Sequence, residues 1–199
     1  IEPVQREIER LAGEGLYGYD DDTLEAVVAR LLLERGRTLA VAESCTGGLI
    51  THRLTDIPGA SGFLREGLVT YSNEAKMELL GVSPETLGKF GAVSPQCARE
   101  MALGARRRAR TDYAVATTGI AGPGGGTPEK PVRLVYLAVA AAESGAPGDG
   151  QQPGERVYLR RIQVVGERER VKHISAQTAL DGLRRVVLGG EVSHWELIS

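Results

Sequence analysis

The sequence predicts an α/β protein: a three-layer α/β/α sandwich around a mixed sheet of five or six strands. Three observations predict it. Short apolar runs alternate with helix-patterned segments through the first part of the chain, the rhythm of parallel strand–helix units. Two longer apolar runs then follow one another with only a Gly/Pro/Gln-rich stretch between them, which reads as an antiparallel pair. The 199 residues suit one domain, a size that buries about 70% of the unfolded surface.

Residues 1–20 read as a leader or linker from an upstream domain. Ile1 to Leu11 fits a short helix or a strand remnant, and Gly13, Gly15 and Gly18 break any regular pattern. The domain then occupies residues 21–199. Asp20-Asp-Asp-Thr23 starts a helix whose Leu24, Val27, Val28, Leu31 and Leu32 share one face, and Gly36 stops it. Thr38 to Glu43 is a short buried strand. A helix starting at Thr46 carries Leu49, Ile50 and Leu54 and ends before Pro58. Phe63 to Ser72 is a second strand, followed by a short helix capped by Asn73 and ended by Gly81. Ser94-Pro95 opens a helix to about Arg110, with Ala98, Met101, Ala102 and Ala105 inside and its arginines outside.

Asp112 to Thr117 is the third strand, and Gly119–Gly126 a glycine-dense loop. Val132 to Ala142 and Arg156 to Val165 pair antiparallel across a flexible loop at 143–155. A helix at 167–187, with Val171, Ile174, Leu183, Val186 and Val187 near one face, closes the domain. Trp195 in the tail docks on the surface.

The net charge of −2 gives no general attraction to nucleic acid or anionic membrane. Arg106-Arg107-Arg108 reads as a solvated helix face. Two cysteines and three scattered histidines make neither a disulfide framework nor a zinc spacing, so no metal or cofactor is expected. No apolar run reaches the roughly 18 residues of a membrane span. A cytoplasmic location is the expectation.

The stretch Thr38–Thr51 holds the candidate chemistry. A strand ends in Glu-Ser-Cys-Thr-Gly-Gly and turns into a helix. Ser44 there can be a helix cap, part of a phosphate-cradling turn, or a nucleophile with backbone N–H groups near it for an oxyanion. A serine nucleophile needs a base. No histidine is recommended by a motif; Lys76 can serve if burial lowers its pKa, with Tyr71 relaying a proton or fixing the amine. Read blandly, Lys76 is a surface helix residue and Tyr71 a strand packing residue.

Four motifs in order resolve more. Val41-Ala-Glu-Ser-Cys-Thr-Gly-Gly48, Val69-Thr-Tyr-Ser-Asn-Glu-Ala-Lys76, Gly91-Ala-Val-Ser94 and Thr118-Gly-Ile-Ala-Gly-Pro-Gly-Gly125 together resemble the C-terminal domain of the CinA family, from about residue 22 to 187. Stand-alone members of that family are PncC-type nicotinamide mononucleotide deamidases. The resemblance implies hydrolysis of nicotinamide mononucleotide to nicotinate mononucleotide and ammonia, as part of pyridine nucleotide recycling. It implies catalytic roles for Ser44, Tyr71 and Lys76. It places Cys45, Thr46, Gly47, Gly48, Thr118, Gly119, Gly122, Gly124 and Arg168 around the substrate, Arg168 as a phosphate contact, with Glu43 and Thr118 supporting. Cys45 is expected to be a small buried residue.

The chain departs from the family pattern at Lys130-Pro-Val-Arg-Leu134, where Lys-Pro-Val-Gly-Thr is usual. It departs again at Gly166-Glu-Arg168, where Gly-Asp-Arg is usual, and in a long insert around Gly145–Gly154. The first change is expected to put an arginine and a leucine near the pocket. Tyr17-Gly-Tyr-Asp-Asp-Asp22 resembles the junction before this domain in full-length CinA proteins, whose other half handles ADP-ribose-type nucleotides. The expected partners are therefore a small-molecule nucleotide, a second copy in a homodimer, and that upstream domain. The other reading is a non-catalytic nucleotide-binding or dimerisation domain. A competence or DNA-damage role finds no support in charge or motif.

Overall fold

The computed structural model describes residues 2–142, 154–189, 192 and 194–198. An exposed helix α1 (Glu2–Ala12) precedes α2 (Leu24–Glu34), whose first turn is capped by the Thr23 hydroxyl accepting from the Ala26 N–H at 3.3 Å. The chain continues through β1 (Leu39–Glu43), α3 (Leu49–Thr55), β2 (Leu64–Val69), α4 (Asn73–Leu80), α5 (Pro84–Phe90) and α6 (Pro95–Ala109). It ends with β3 (Tyr113–Gly119), β4 (Leu134–Ala142), β5 (Glu155–Gln163), α7 (Arg168–Leu188) and β6 (Glu196–Ile198).

The sheet order is β2-β1-β3-β4-β5-β6. β1 pairs in parallel with β2 and β3, and the remaining ladders are antiparallel. Helices cover both faces, giving the expected three layers with six strands. The two faces differ in side-chain size. Leu39, Val41, Val115, Val135, Leu137 and Val139 point toward α2, α3 and α7. Ala40, Ala42, Ala114, Ala116, Ala138 and Ala140 point toward α6. The alternation follows from the two-residue repeat of a strand, and the alanine face lets α6 lie close to the sheet.

Several boundaries differ from the sequence expectation, each for a local reason. The helix after Ser44 starts at Leu49 rather than Thr46, because Gly47 and Gly48 take left-handed backbone (φ 63° and 95°) and form a turn first. β2 stops at Val69, so Thr70–Ser72 form a turn instead of strand. Ser72, not Asn73, caps α4: its hydroxyl accepts from Ala75 N–H at 3.1 Å. Ile174 is exposed, and the buried stripe of α7 runs through Val171, Ala176, Ala179, Leu180, Leu183 and Val187. Trp195 is buried rather than surface-docked. It lies flush on Gly182, where an added Cβ would come within 2.2 Å of its ring, and the residues after it form the sixth strand.

The arginines of α6 are paired instead of merely solvated. Arg106 and Arg107 both bind Glu155 of β5, and Arg108 binds Glu66 of β2 at 2.9 Å. The expected flexible loop and most of the insert fall at 143–153, outside the described residues. No described helix is long and apolar enough to cross a membrane.

Candidate active site at the carboxyl end of β1

Ser44 follows β1 directly, at the carboxyl ends of the two central parallel strands, where open α/β sheets place their ligands. Its N–H donates to Thr117 O of β3 at 3.0 Å. On the other side, Thr70 N–H donates to Glu43 O at 2.8 Å, which stitches the 70–72 turn to the end of β1. Ser44 is thus tied to β3, and Glu43 before it to the 70–72 turn.

The turn after Ser44 is held by Glu43. This fully buried carboxylate accepts from the N–H groups of Gly48 (3.0 Å), Ile50 (3.1 Å) and Thr51 (2.8 Å), and from the Thr51 hydroxyl (2.8 Å). These are the unpaired donors of the α3 N-terminus, and a carboxylate there also meets the positive end of the helix dipole. Glu43 therefore takes the capping role that Ser44 had as one of its readings.

Lys76 lies in the first turn of α4, and helical side chains lean back toward the amino end. Its stem consequently runs into the protein, not out of it. Only 1% of Lys76 is exposed. Its Nζ lies 2.7 Å from Thr70 O, 3.3 Å from Tyr71 O and 3.2 Å from Ser44 Oγ. The surface-residue reading of Lys76 is wrong. Burial lowers its pKa from the ordinary lysine value by disfavouring the charged form. Ser72 O lies 3.5 Å from Nζ as well, so the amine sits among three backbone carbonyls and the serine hydroxyl.

Around this pair is a cleft of about 200 Å³ lined by Ser44, Cys45, Tyr71, Lys76, Thr118, Gly119 and Arg168, with Ala92, Val93 and Ala121 as apolar wall. The Thr118 hydroxyl donates to Ala92 O at 2.7 Å and holds that wall in place. Burial pushes the Cys45 thiol up to about 12 and Cys97 up to about 11, so both stay protonated and neither competes with Ser44 as nucleophile. A larger cavity, about 720 Å³ among Arg35, Arg37, Tyr113 and Tyr158, sits at the other end of the strands, away from this chemistry.

The remaining expected site residues divide. Tyr71 is 62% exposed at the rim; Arg168 Nη2 donates to its hydroxyl at 3.1 Å, and that hydroxyl has no hydrogen bond to Lys76 or Ser44. Lys76 and Ser44 meet directly, without Tyr71 between them. Arg168 also donates to Gly122 O at 2.9 Å, tying the start of α7 to the glycine loop. Thr46 is buried with its hydroxyl 2.7 Å from that of Thr117, and Gly48 is spent on Glu43. Gly119 is the last residue of β3, where an added Cβ would meet Leu134 O at 2.6 Å, so it serves packing as well as lining. Gly124 has open space around it and does not line the cleft.

The departure at Arg133-Leu134 leaves the cleft unobstructed. Leu134 is buried in β4, and Arg133 Nε donates to Gly166 O at 2.6 Å. Arg133 sits at φ 74°, a left-handed conformation suited to glycine, the residue usual at this position in the family pattern. Sequence reasoning missed Thr70 as the carbonyl that holds Lys76, because a backbone group leaves no mark on residue choice. It also gave the Gly91-Ala-Val-Ser94 motif no role, although Ala92 and Val93 form the wall. Among the described residues no cluster of His, Cys, Asp or Glu is placed to hold a metal ion.

The family model for the CinA C-terminal domain matches residues 21–187. The chain belongs to the CinA family. A putative competence-damage inducible protein of Acetivibrio thermocellus is 50% identical over 188 residues, covering 94% of this chain and 43% of that protein. One from Moorella thermoacetica is 53% identical over 172 residues, covering 86% and 38%. The chain thus spans less than half the length of these relatives. Among solved structures, competence/damage inducible protein CihA from Agrobacterium tumefaciens is 41% identical with a TM-score of 0.69, over 82% of this chain and 96% of that one. Competence damage-inducible protein A from Klebsiella pneumoniae is 35% identical with a TM-score of 0.74, over 84% and 97%. The CinA fold, a three-layer sandwich on a mixed six-stranded sheet, is what brings Ser44 and Lys76 together here.

Proposed function

We propose that this CinA domain is an amidohydrolase that converts nicotinamide mononucleotide to nicotinate mononucleotide and ammonia. The observation that carries the chemistry is the buried Lys76 amine, 3.2 Å from Ser44 Oγ at the floor of a cleft. The family resemblance supplies the substrate.

Ser44 Oγ attacks the carboxamide carbon while its proton passes to the neutral Lys76 amine. The oxyanion is met by the N–H groups of Cys45 and Thr46, which have no backbone partner among the described residues. Gly47 N–H is already given to Ser44 O at 3.2 Å. The α3 N-terminal donors belong to Glu43, so the oxyanion site is the turn and not the helix end. Lys76 returns the proton to nitrogen, ammonia leaves, and a nicotinoyl ester remains on Ser44. Lys76 then deprotonates a water that attacks the ester, releasing the acid and restoring both side chains. Ala92, Val93 and Ala121 offer an apolar wall for a flat pyridine ring. We further assign a homodimeric assembly and an upstream nucleotide-processing half to the whole protein.

The test is incubation of the purified chain with nicotinamide mononucleotide, following ammonia and nicotinate mononucleotide together. Turnover that disappears in Ser44→Ala supports the reading. A chain that binds the nucleotide without ever releasing ammonia is a binding domain, and the amidohydrolase reading then fails.

A further inference from the structure

A second cation stands beside the site that neither motif nor resemblance marked. Lys172 lies one helical turn beyond Arg168 on α7, so the two share a face of that helix. Its Nζ is 3.8 Å from where a Cβ on Gly47 would begin. Gly47 in turn closes the turn that starts at Ser44. Lys172 is half-buried and makes no hydrogen bond or ion pair among the described residues. Arg168, by contrast, already braces Gly122 O and Tyr71 Oη.

The cleft itself is small. At about 200 Å³ it is below the 300 Å³ or so at which pockets enclose a whole drug-sized ligand. A nucleotide can therefore put only its reacting ring inside, and the rest must cross the mouth. Arg168 lines that cleft, and one helical turn further along α7 Lys172 lies over Gly47, whose lack of a side chain leaves the ammonium uncovered. The positive end of the α7 dipole adds the same sign.

We propose that Lys172, with Arg168, binds a phosphate monoester on the substrate, and that Lys172 is the residue selecting nucleotide over nucleoside. The inference rests on the amidohydrolase reading for the identity of the reacting group. It goes beyond it by assigning a specificity residue.

The test is equilibrium binding of nicotinamide mononucleotide and of nicotinamide riboside to the Ser44→Ala chain, with and without Lys172→Met. One charge-assisted contact supports about a tenfold change in affinity. Lys172→Met is expected to raise the Kd of the nucleotide about tenfold and leave that of the riboside unchanged, while Lys172→Arg keeps nucleotide affinity. Equal losses for both ligands, no change for either, or no nucleotide binding to the Ser44→Ala chain each overturn the proposal. Phosphate-dependent binding that depends on Lys172, in a chain that never releases ammonia, upholds the proposal and sinks only the amidohydrolase reading.

Discussion

Lys76 Nζ and Ser44 Oγ lie 3.2 Å apart with both residues buried, and the two come from different strand–helix units. If the lysine works as a neutral base, charge alone will not replace it. Lys76→Arg keeps a cation that stays protonated in proteins. We expect Lys76→Arg and Lys76→Met each to lower kcat by about 10²–10⁴, measured as ammonia release, with the KM for nicotinamide mononucleotide changed far less. A Lys76→Arg enzyme of normal kcat would show that the lysine acts only as a positive charge.

The pH dependence follows from the same burial. Lys76 has its pKa lowered by desolvation, so the active neutral form gains population as pH rises through that lowered value. kcat/KM should climb on its acidic side with one titrating group and level off below the ordinary lysine range. Stability has the same sign. Between the folded and unfolded pKa values the unfolded chain holds more protons at this site, so unfolding free energy rises with pH there. Urea unfolding of wild type and Lys76→Met across that window should show the slope flatten in the variant.

Tyr71 separates rim from relay. Its hydroxyl is bonded to Arg168, not to the Ser44–Lys76 pair. Tyr71→Phe should keep kcat within about threefold, whereas loss of a true proton-transfer group costs roughly a hundredfold or more. Steady-state kinetics on this one variant decides between the two.

Glu43 accepts four hydrogen bonds from the start of α3. Glu43→Ala leaves buried donors without an acceptor. We expect a loss of about 2–4 kcal/mol in unfolding free energy, from the cost of unmade bonds to a charged group and the lost cap. The variant enzyme should also lose kcat, because the turn carrying the Cys45 and Thr46 N–H groups loses its anchor. Denaturant titration alongside kinetics measures both.

Gly104 in α6 touches the end of α4: an added Cβ would lie 1.8 Å from Leu80 O. Gly104→Ala must push α4 outward, and Lys76 with it. Overpacking of this kind costs about 1–3 kcal/mol. Activity should fall along with melting temperature, while nucleotide affinity at the Arg168 and Lys172 side is retained.

The regular elements could be read from the chain because their signals are local. Thr23 before a run of leucines and valines, Ser94-Pro95 before an alanine-rich helix, and alternating or continuous apolar runs each report on their own neighbours. So could the pairing of Ser44 with Lys76 as candidates, once the motifs were taken together. The cap of α3 could not be read, since the carboxylate that supplies it lies six residues before the helix, inside a strand. Nor could the burial of Lys76. A lysine in Asn-Glu-Ala-Lys-Met-Glu has the look of a solvated helix face, and only the docking of α4 beside the end of β1 turns it inward. Lys172 carries no local mark at all, because its nearness to Gly47 exists only when α7 packs across the sheet. Local sequence thus determined which segments are strands and helices and which residue types can do chemistry. Distances of a few ångströms between residues far apart in the chain were decided by the packing of helices on the sheet, which buries Lys76 beside Ser44.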